Sequence, residues 1–222
     1  MEIIVKNVTK KFYEKDGVKL IFSNINLTVN QNNTYAIIGN SGVGKSALLH
    51  LLGGIDSPTT GHISLLHNEG EGNVRSGSFS FVFQEHNLLA ELSVRDNLIL
   101  PLLVKNFSAS DAYTIVIKLL ETLSMASYAD KFVYQLSGGQ RQRVSVIRAV
   151  VQKVDFILAD EPTANLDPEN ANLVIELLLK VKKEFGTGLI ICTHDPAVYQ
   201  RMDYLICIEN ENVKIISSAA KM

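Results

Sequence analysis

The chain has 222 residues, 46% of them hydrophobic, and a net charge of −2. That is enough for one large domain, or for a domain with an inserted lobe around a sizeable core. The balanced charge excludes a strong field for nucleic acid or an anionic membrane surface, and no aromatic ladder of the kind single-stranded nucleic acid requires is present.

The predicted elements run as follows. Glu2–Val8 and Leu20–Val29 alternate or run apolar and read as strands. Thr34–Ile38 is short, β-branched and followed at once by glycine, which predicts a buried strand feeding a turn. Lys45–Leu52 reads as a helix stopped by Gly53-Gly54. Gly61–Leu66 and Phe79–Phe83 read as strands, with the polar segment His67–Gly77 between them as a loop. From Gln84 to Gly138 the periodicity is helical, with Ser93 and Ser110 as N-caps and Asp96 completing the first of them. Strand patterns return at Val154–Leu158, Leu189–Cys192, Tyr204–Ile208 and Val213–Ile216. Asp167-Pro168 opens a helix with proline at its first position, and Ala171, Val174, Ile175 and Leu178 fall on one face. Strands alternating with helices predict an α/β fold with a largely parallel sheet, interrupted by a helical lobe from about Gln84 to Val150 within a single 1–222 domain.

Cys192 and Cys207 lie in the apolar strand runs and read as buried thiols, not as a disulfide. No apolar run approaches the roughly 18 residues that span a bilayer. Met1–Ile4 lacks the basic start of a secretory leader, so none is expected.

The chemistry concentrates in three stretches. Gly39-Asn40-Ser41-Gly42-Val43-Gly44-Lys45-Ser46 matches G-x-x-x-x-G-K-[ST] in full. Its glycines let backbone N–H groups turn toward phosphate oxygens, and the helix that follows points its positive end at the same place. Lys45 supplies charge to the β- and γ-phosphates of a nucleotide, and Ser46 supplies a hydroxyl to Mg²⁺; on its own this loop would serve a GTPase, a kinase or a helicase equally well. A chance glycine turn is the plain alternative, disfavoured by the strand before and the helix after. The apolar run Phe156–Ala159 ends in Asp160 and Glu161. Ligands sit beyond the carboxyl ends of strands in such sheets, so Asp160 is a candidate for Mg²⁺ and Glu161 for orienting or deprotonating an attacking water. Two solvated carboxylates are the bland alternative. Leu136-Ser137-Gly138-Gly139-Gln140 precedes a helix and offers a second anion site by the same physics.

In this order, the three stretches resemble the nucleotide-binding subunit of an ATP-binding cassette (ABC) transporter, from about Ile3 to Ile216. The resemblance implies an ABC cassette of the P-loop NTPase class: a parallel-sheet core, a small antiparallel β subdomain and an inserted helical lobe. It implies ATP hydrolysis with Mg²⁺. Ser137, Gly138, Gly139 and Gln140 then form the signature that closes on ATP bound by a second copy, giving a head-to-tail homodimer. Gln84 becomes the glutamine that touches Mg²⁺ or the attacking water, and His194 the switch histidine beside the γ-phosphate. Asp167 becomes an acid at the dimer interface, or simply the cap of its helix; both can hold. Adenine stacks on Phe12 or Tyr13, although Phe12 suits the core of the small sheet equally well.

The family further implies integral-membrane permease subunits as partners, a peripheral place on the cytoplasmic face of the inner membrane, and no nucleic acid. Leu49–Asp56, Pro58–Gly61, Gln84–Leu89 and Asn165–Asp167 resemble the branch of lipoprotein release and macrolide export. A cell-division ATPase of that branch is the alternative. Non-transport ABC ATPases, with their long coiled-coil insertions or paired cassettes, fit poorly. The segment between Gly61 and Gln84 is shorter than that branch's pattern. Leu88, Leu89, Leu92, Leu98, Leu100 and Leu102 exceed what a small lobe can bury. Several are expected to line a groove near Gln84–Leu89 for a helix of the membrane subunit.

Overall fold

The computed structural model describes residues 1–14, 17–67, 70–73 and 77–218. Strands β1 (Glu2–Glu14) and β2 (Gly17–Asn30) pair antiparallel, and β3 (Thr34–Ile38) leads through a loop into helix α1 (Lys45–Leu52). Strands β4 (Thr60–His67) and β5 (Gly70–Asn73) join the first pair in a four-stranded sheet of order β2-β1-β4-β5. The second sheet has six strands. It adds β6 (Phe79–Val82), β7 (Phe156–Asp160), β8 (Gly188–Cys192), β9 (Tyr204–Glu209) and β10 (Asn212–Ser217) to β3, in the order β10-β9-β3-β8-β7-β6. All its neighbours run parallel except β10, which returns antiparallel to β9.

Three α-helices, α2 (Val94–Val104), α3 (Ala109–Thr122) and α4 (Gly138–Val150), lie between β6 and β7, with short 3-10 turns at Ala126–Tyr128 and Val133–Gln135. Helix α5 (Pro168–Phe185) and the short α6 (Pro196–Tyr199) follow β7 and β8.

The six-stranded sheet is covered on both faces, and the strand period divides its side chains between them. Phe156, Leu158, Ile190 and Cys192 pack with α1 and the antiparallel sheet. Ile157, Ala159, Leu189 and Ile191 pack with the α2–α5 helices. Gly53 ends α1 where a Cβ would lie 2.2 Å from the Phe81 ring, so the helix stops against the sheet.

Two expectations are corrected. The polar stretch after His67 contains strand β5, registered from Ser64↔Asn73 to His67↔Gly70; residues 68, 69 and 74–76 lie outside the described residues. A glycine-rich edge strand carries no apolar alternation, so its pairing is invisible locally. Its anchor is tertiary, because Glu71 receives Lys6 at 2.9 Å and the Ser64 hydroxyl at 2.5 Å. The cap of α3 is Ser108 instead of Ser110: its hydroxyl accepts the Asp111 N–H at 3.1 Å and donates to the Asp111 carboxylate at 2.7 Å. The acid three residues on selects it, as Asp96 does for Ser93.

Candidate functional site

The loop between β3 and α1 takes its shape from glycine. Gly42 and Gly44 have φ of +75° and +109°, values that L side chains rarely adopt. At Gly44 a Cβ would also lie 2.5 Å from Ile21 and 3.1 Å from the Phe22 ring. Helix α1 has no acidic residue in its first turn and no side-chain cap. Its first N–H groups and dipole therefore stay available to an anion. The Lys45 ammonium lies back across the loop, donating to the carbonyls of Gly39 at 3.1 Å and Asn40 at 3.3 Å. Ser46 is exposed one residue beyond.

Opposite stand the ends of β7 and β8, adjacent in the sheet with Asp160 paired to Cys192. Asp160 Oδ1 is buried without a hydrogen-bond partner. Glu161 leaves the strand at φ +45°, its N–H held by the Cys192 carbonyl at 3.0 Å. His194 Nδ1 lies 3.1 Å from each Glu161 carboxylate oxygen. The histidine is 75% exposed and the glutamate 20%, so the imidazole roofs the carboxylate from the solvent side. Thr193, which sequence reasoning missed, is fully buried. Its N–H reaches the Ile37 carbonyl at 3.2 Å and its hydroxyl accepts from Asp195 N at 3.0 Å, so it ties the His194 segment to β3. Cys192 sits beneath, where burial first, and then Asp160 and Glu161, push its thiol up; it donates to the Lys45 carbonyl at 3.4 Å as a neutral packing group.

Ser41, Lys45, Gln84, Glu161, Thr193 and His194 together face one cleft of about 890 Å³. Thr163 and Asn165, on the turn after Glu161, also line it. Glu161 and His194 are thus brought to Lys45 by strand order, since β8 stands beside β3 and β7 is next to β8.

The segment after Gln84 is tied down from behind. Gln142 is 1% exposed and donates to the Phe83 carbonyl at 3.3 Å. That fixes its Oε1 toward His86 Nδ1, which must carry the hydrogen in the close bond between them. Burial lowers the His86 pKa and favours this neutral form. Arg148 donates to the carbonyls of His86 at 2.9 Å and Asn87 at 2.5 Å. Asn97, 2% exposed, accepts from Leu89 N at 2.8 Å and donates to Leu89 O at 3.0 Å. None of these three clamps has a local signature in the sequence.

Ser137–Gln140 do not line the cleft. Ser137 caps α4 in a reciprocal box with Gln140, at 3.3 and 3.1 Å. Gly139 is required by packing, because a Cβ there would fall 2.3 Å from Asn170 Oδ1. Asn170 is itself held by Asp167, which caps α5 by accepting from Asn170 N at 3.0 Å and Nδ2 at 2.7 Å. Those bonds hold the Asp167 carboxyl below the usual range. Phe12 and Tyr13 lie on β1 away from the cleft lining, opposite Lys19 and Val18 of β2. At 39% and 75% exposure neither is a core residue. The Lys10 ammonium lies 4.9 Å from the Phe12 ring centre.

Among the described residues no three His, Cys, Asp or Glu side chains cluster to hold a metal, and no helix is long and apolar enough to cross a membrane.

The chain is similar to known proteins. A family model for ABC transporters matches residues 22–164. The lipoprotein-releasing system ATP-binding protein LolD of Rickettsia bellii is 37% identical over 205 residues, covering 91% of this chain and 93% of that one. LolD of Bordetella pertussis is 39% identical over 208 residues, 90% of each chain. Among solved structures, the dimeric ATP-binding cassette MJ0796 bound to ADP and Pi superposes with a TM-score of 0.82 at 29% identity, covering 97% of this chain and 98% of that one. The cbiO1 protein of Clostridium perfringens superposes with a TM-score of 0.85 at 25% identity, over 98% and 89%. The chain belongs to the ABC transporter family, as one of its ATP-binding and ATP-hydrolysing cassettes.

Proposed function

We propose that this ATPase drives lipoprotein release from a membrane, acting on separate permease subunits from the cytoplasmic face of the inner membrane. The LolD names of its relatives support the cargo class. The observation that carries the mechanism is the meeting of Lys45, Gln84, Glu161 and His194 on one cleft that leaves the Ser137 loop outside. Residues 1–222 form one cassette, with the segment from about Gln84 to Val150 as its lobe.

In this reading the N–H groups of Gly39–Ser46 and the Lys45 ammonium hold the triphosphate. Glu161 takes a proton from the water that attacks the γ-phosphorus, while the β–γ bridging oxygen leaves with its electron pair. His194 holds the Glu161 carboxylate in place and faces the γ-phosphate. The residues also suit Mg²⁺: the partnerless buried Asp160 Oδ1 is a cation acceptor in waiting, with the Ser46 hydroxyl and Gln84 beside the phosphates. With so few protein ligands, most of the ion's coordination would come from phosphate and water. Bound there, the ion would offset phosphate charge.

The signature of one copy would close on the ATP of the other, which resolves why Ser137–Gln140 stand apart from the cleft. Ser137→Arg should leave ATP binding to the monomer intact, because the cleft is untouched, and block ATP-driven dimerisation. Gel filtration mixed with a hydrolysis-deficient copy would show the dimer peak depleted; normal dimerisation would sink the head-to-tail arrangement.

The permease would dock in a groove of about 220 Å³ lined by Phe81, Leu89, Asn97, Leu100, Pro101 and Arg148. Of the surplus leucines, Leu98 and Leu102 are core, while Leu89 and Leu100 are 46% and 42% exposed. Leu89 is gripped by Asn97 through its backbone alone. Leu89→Glu should therefore fold and hydrolyse ATP within about twofold of the parent, as surface changes do, yet fail to co-purify with the membrane subunit. Retained co-purification would exclude this groove.

A further inference from the structure

The turn that leads into the signature carries two aromatic rings with no evident task in one copy. Phe132 and Tyr134 are 41% and 65% exposed, and stack on each other at 5.5 Å with their planes 14° apart. Their exposure is not looseness. Val133 and Leu136 are each 4% exposed and pin the turn from within. Phe132 N donates to Gln135 Oε1 at 2.8 Å, Val133 N donates to the Leu92 carbonyl at 3.3 Å, and Phe132 bridges to Ser93. The backbone thus holds both rings outward, so the ordering cost that a binding surface normally incurs is already met.

We propose that Tyr134, backed by Phe132, stacks on the adenine of the ATP held by the second copy. The inference rests on the head-to-tail reading above. If Ser137 closes on a γ-phosphate across the interface, Tyr134 stands three residues away, at most about 11 Å along even an extended chain. That is the scale on which a nucleotide's base lies from its γ-phosphate. The base needs a flat apolar partner, and a nucleobase finds one in any aromatic face. Phe12, the candidate from the first copy, already has the Lys10 ammonium over its ring at 4.9 Å. That leaves the base one side to Phe12 and the other to a ring arriving with the partner. The base would then be sandwiched only in the dimer, making the stacked base, whichever it is, part of the closure signal. Stacking discriminates weakly between bases, so GTP should support closure nearly as well as ATP.

The test uses full-length Glu161→Gln protein titrated with ATP on gel filtration. Adding Tyr134→Ala should raise the ATP concentration for half-dimerisation on the order of tenfold, the scale of one base–aromatic stack. The ATP affinity of the monomer should not change, and Tyr134→Trp should dimerise like the parent. Photolabelling with 8-azido-ATP should mark the Phe132–Tyr134 peptide in the dimer, and not in the Ser137→Arg monomer. A parent that stays monomeric with ATP would remove both readings together. A parent that dimerises, with Tyr134→Ala following at the same ATP concentration, would overturn this one alone. So would a Tyr134→Ala dimer that forms normally but loses its membrane subunit, since the ring's partner would then be the permease.

Discussion

Glu161→Gln is expected to slow ATP hydrolysis by about 10²–10⁴-fold, the usual contribution of a positioned general base, while ATP still binds. The amide keeps the carboxylate's shape on the turn set by φ +45° and by the Cys192 carbonyl. It loses the proton acceptor that His194 Nδ1 meets at 3.1 Å. With hydrolysis stopped and the phosphate loop untouched, a closed ATP dimer should accumulate. Phosphate release and gel filtration read the two effects separately. Hydrolysis near the parental rate would remove Glu161 from the proposed chemistry.

Lys45→Ala should act one step earlier. Among the described residues the ammonium donates to two loop carbonyls, those of Gly39 and Asn40, so its loss disturbs little of the fold. A bound triphosphate would lose a charge-assisted hydrogen bond, worth roughly 1.5–3 kcal/mol. ATP affinity should then fall on the order of 10–100-fold by calorimetric titration, with an unchanged circular dichroism spectrum as the control for folding. Unchanged affinity would contradict the phosphate-loop assignment. The two variants separate binding from turnover: one should bind without hydrolysing, the other should hydrolyse poorly because it binds poorly.

The sequence by itself determined whatever depends on neighbours along the chain. Strand β3, its glycine turn and α1 are consecutive, so backbone sterics and helix polarity can be read there without a fold. The same holds for Asp167-Pro168 opening α5 and for the apolar run of β7 ending in Asp160 and Glu161. Tertiary structure decided the rest. Strand β5 is mostly glycine and polar residues, so only its pairing with β4 makes it a strand. Gln142 meets His86 across 56 residues and Arg148 meets Asn87 across 61. A side chain that hydrogen-bonds a distant carbonyl leaves no periodic trace in its own segment. Which leucines of the lobe are core and which line a groove is likewise a matter of how α2 lies on its neighbours. Above all, Gln84, Glu161 and His194 share a cleft with Lys45 because β6, β7, β8 and β3 stand side by side in the sheet. Local chemistry is encoded in consecutive residues, whereas the site exists only once hydrogen bonding between strands has set their order.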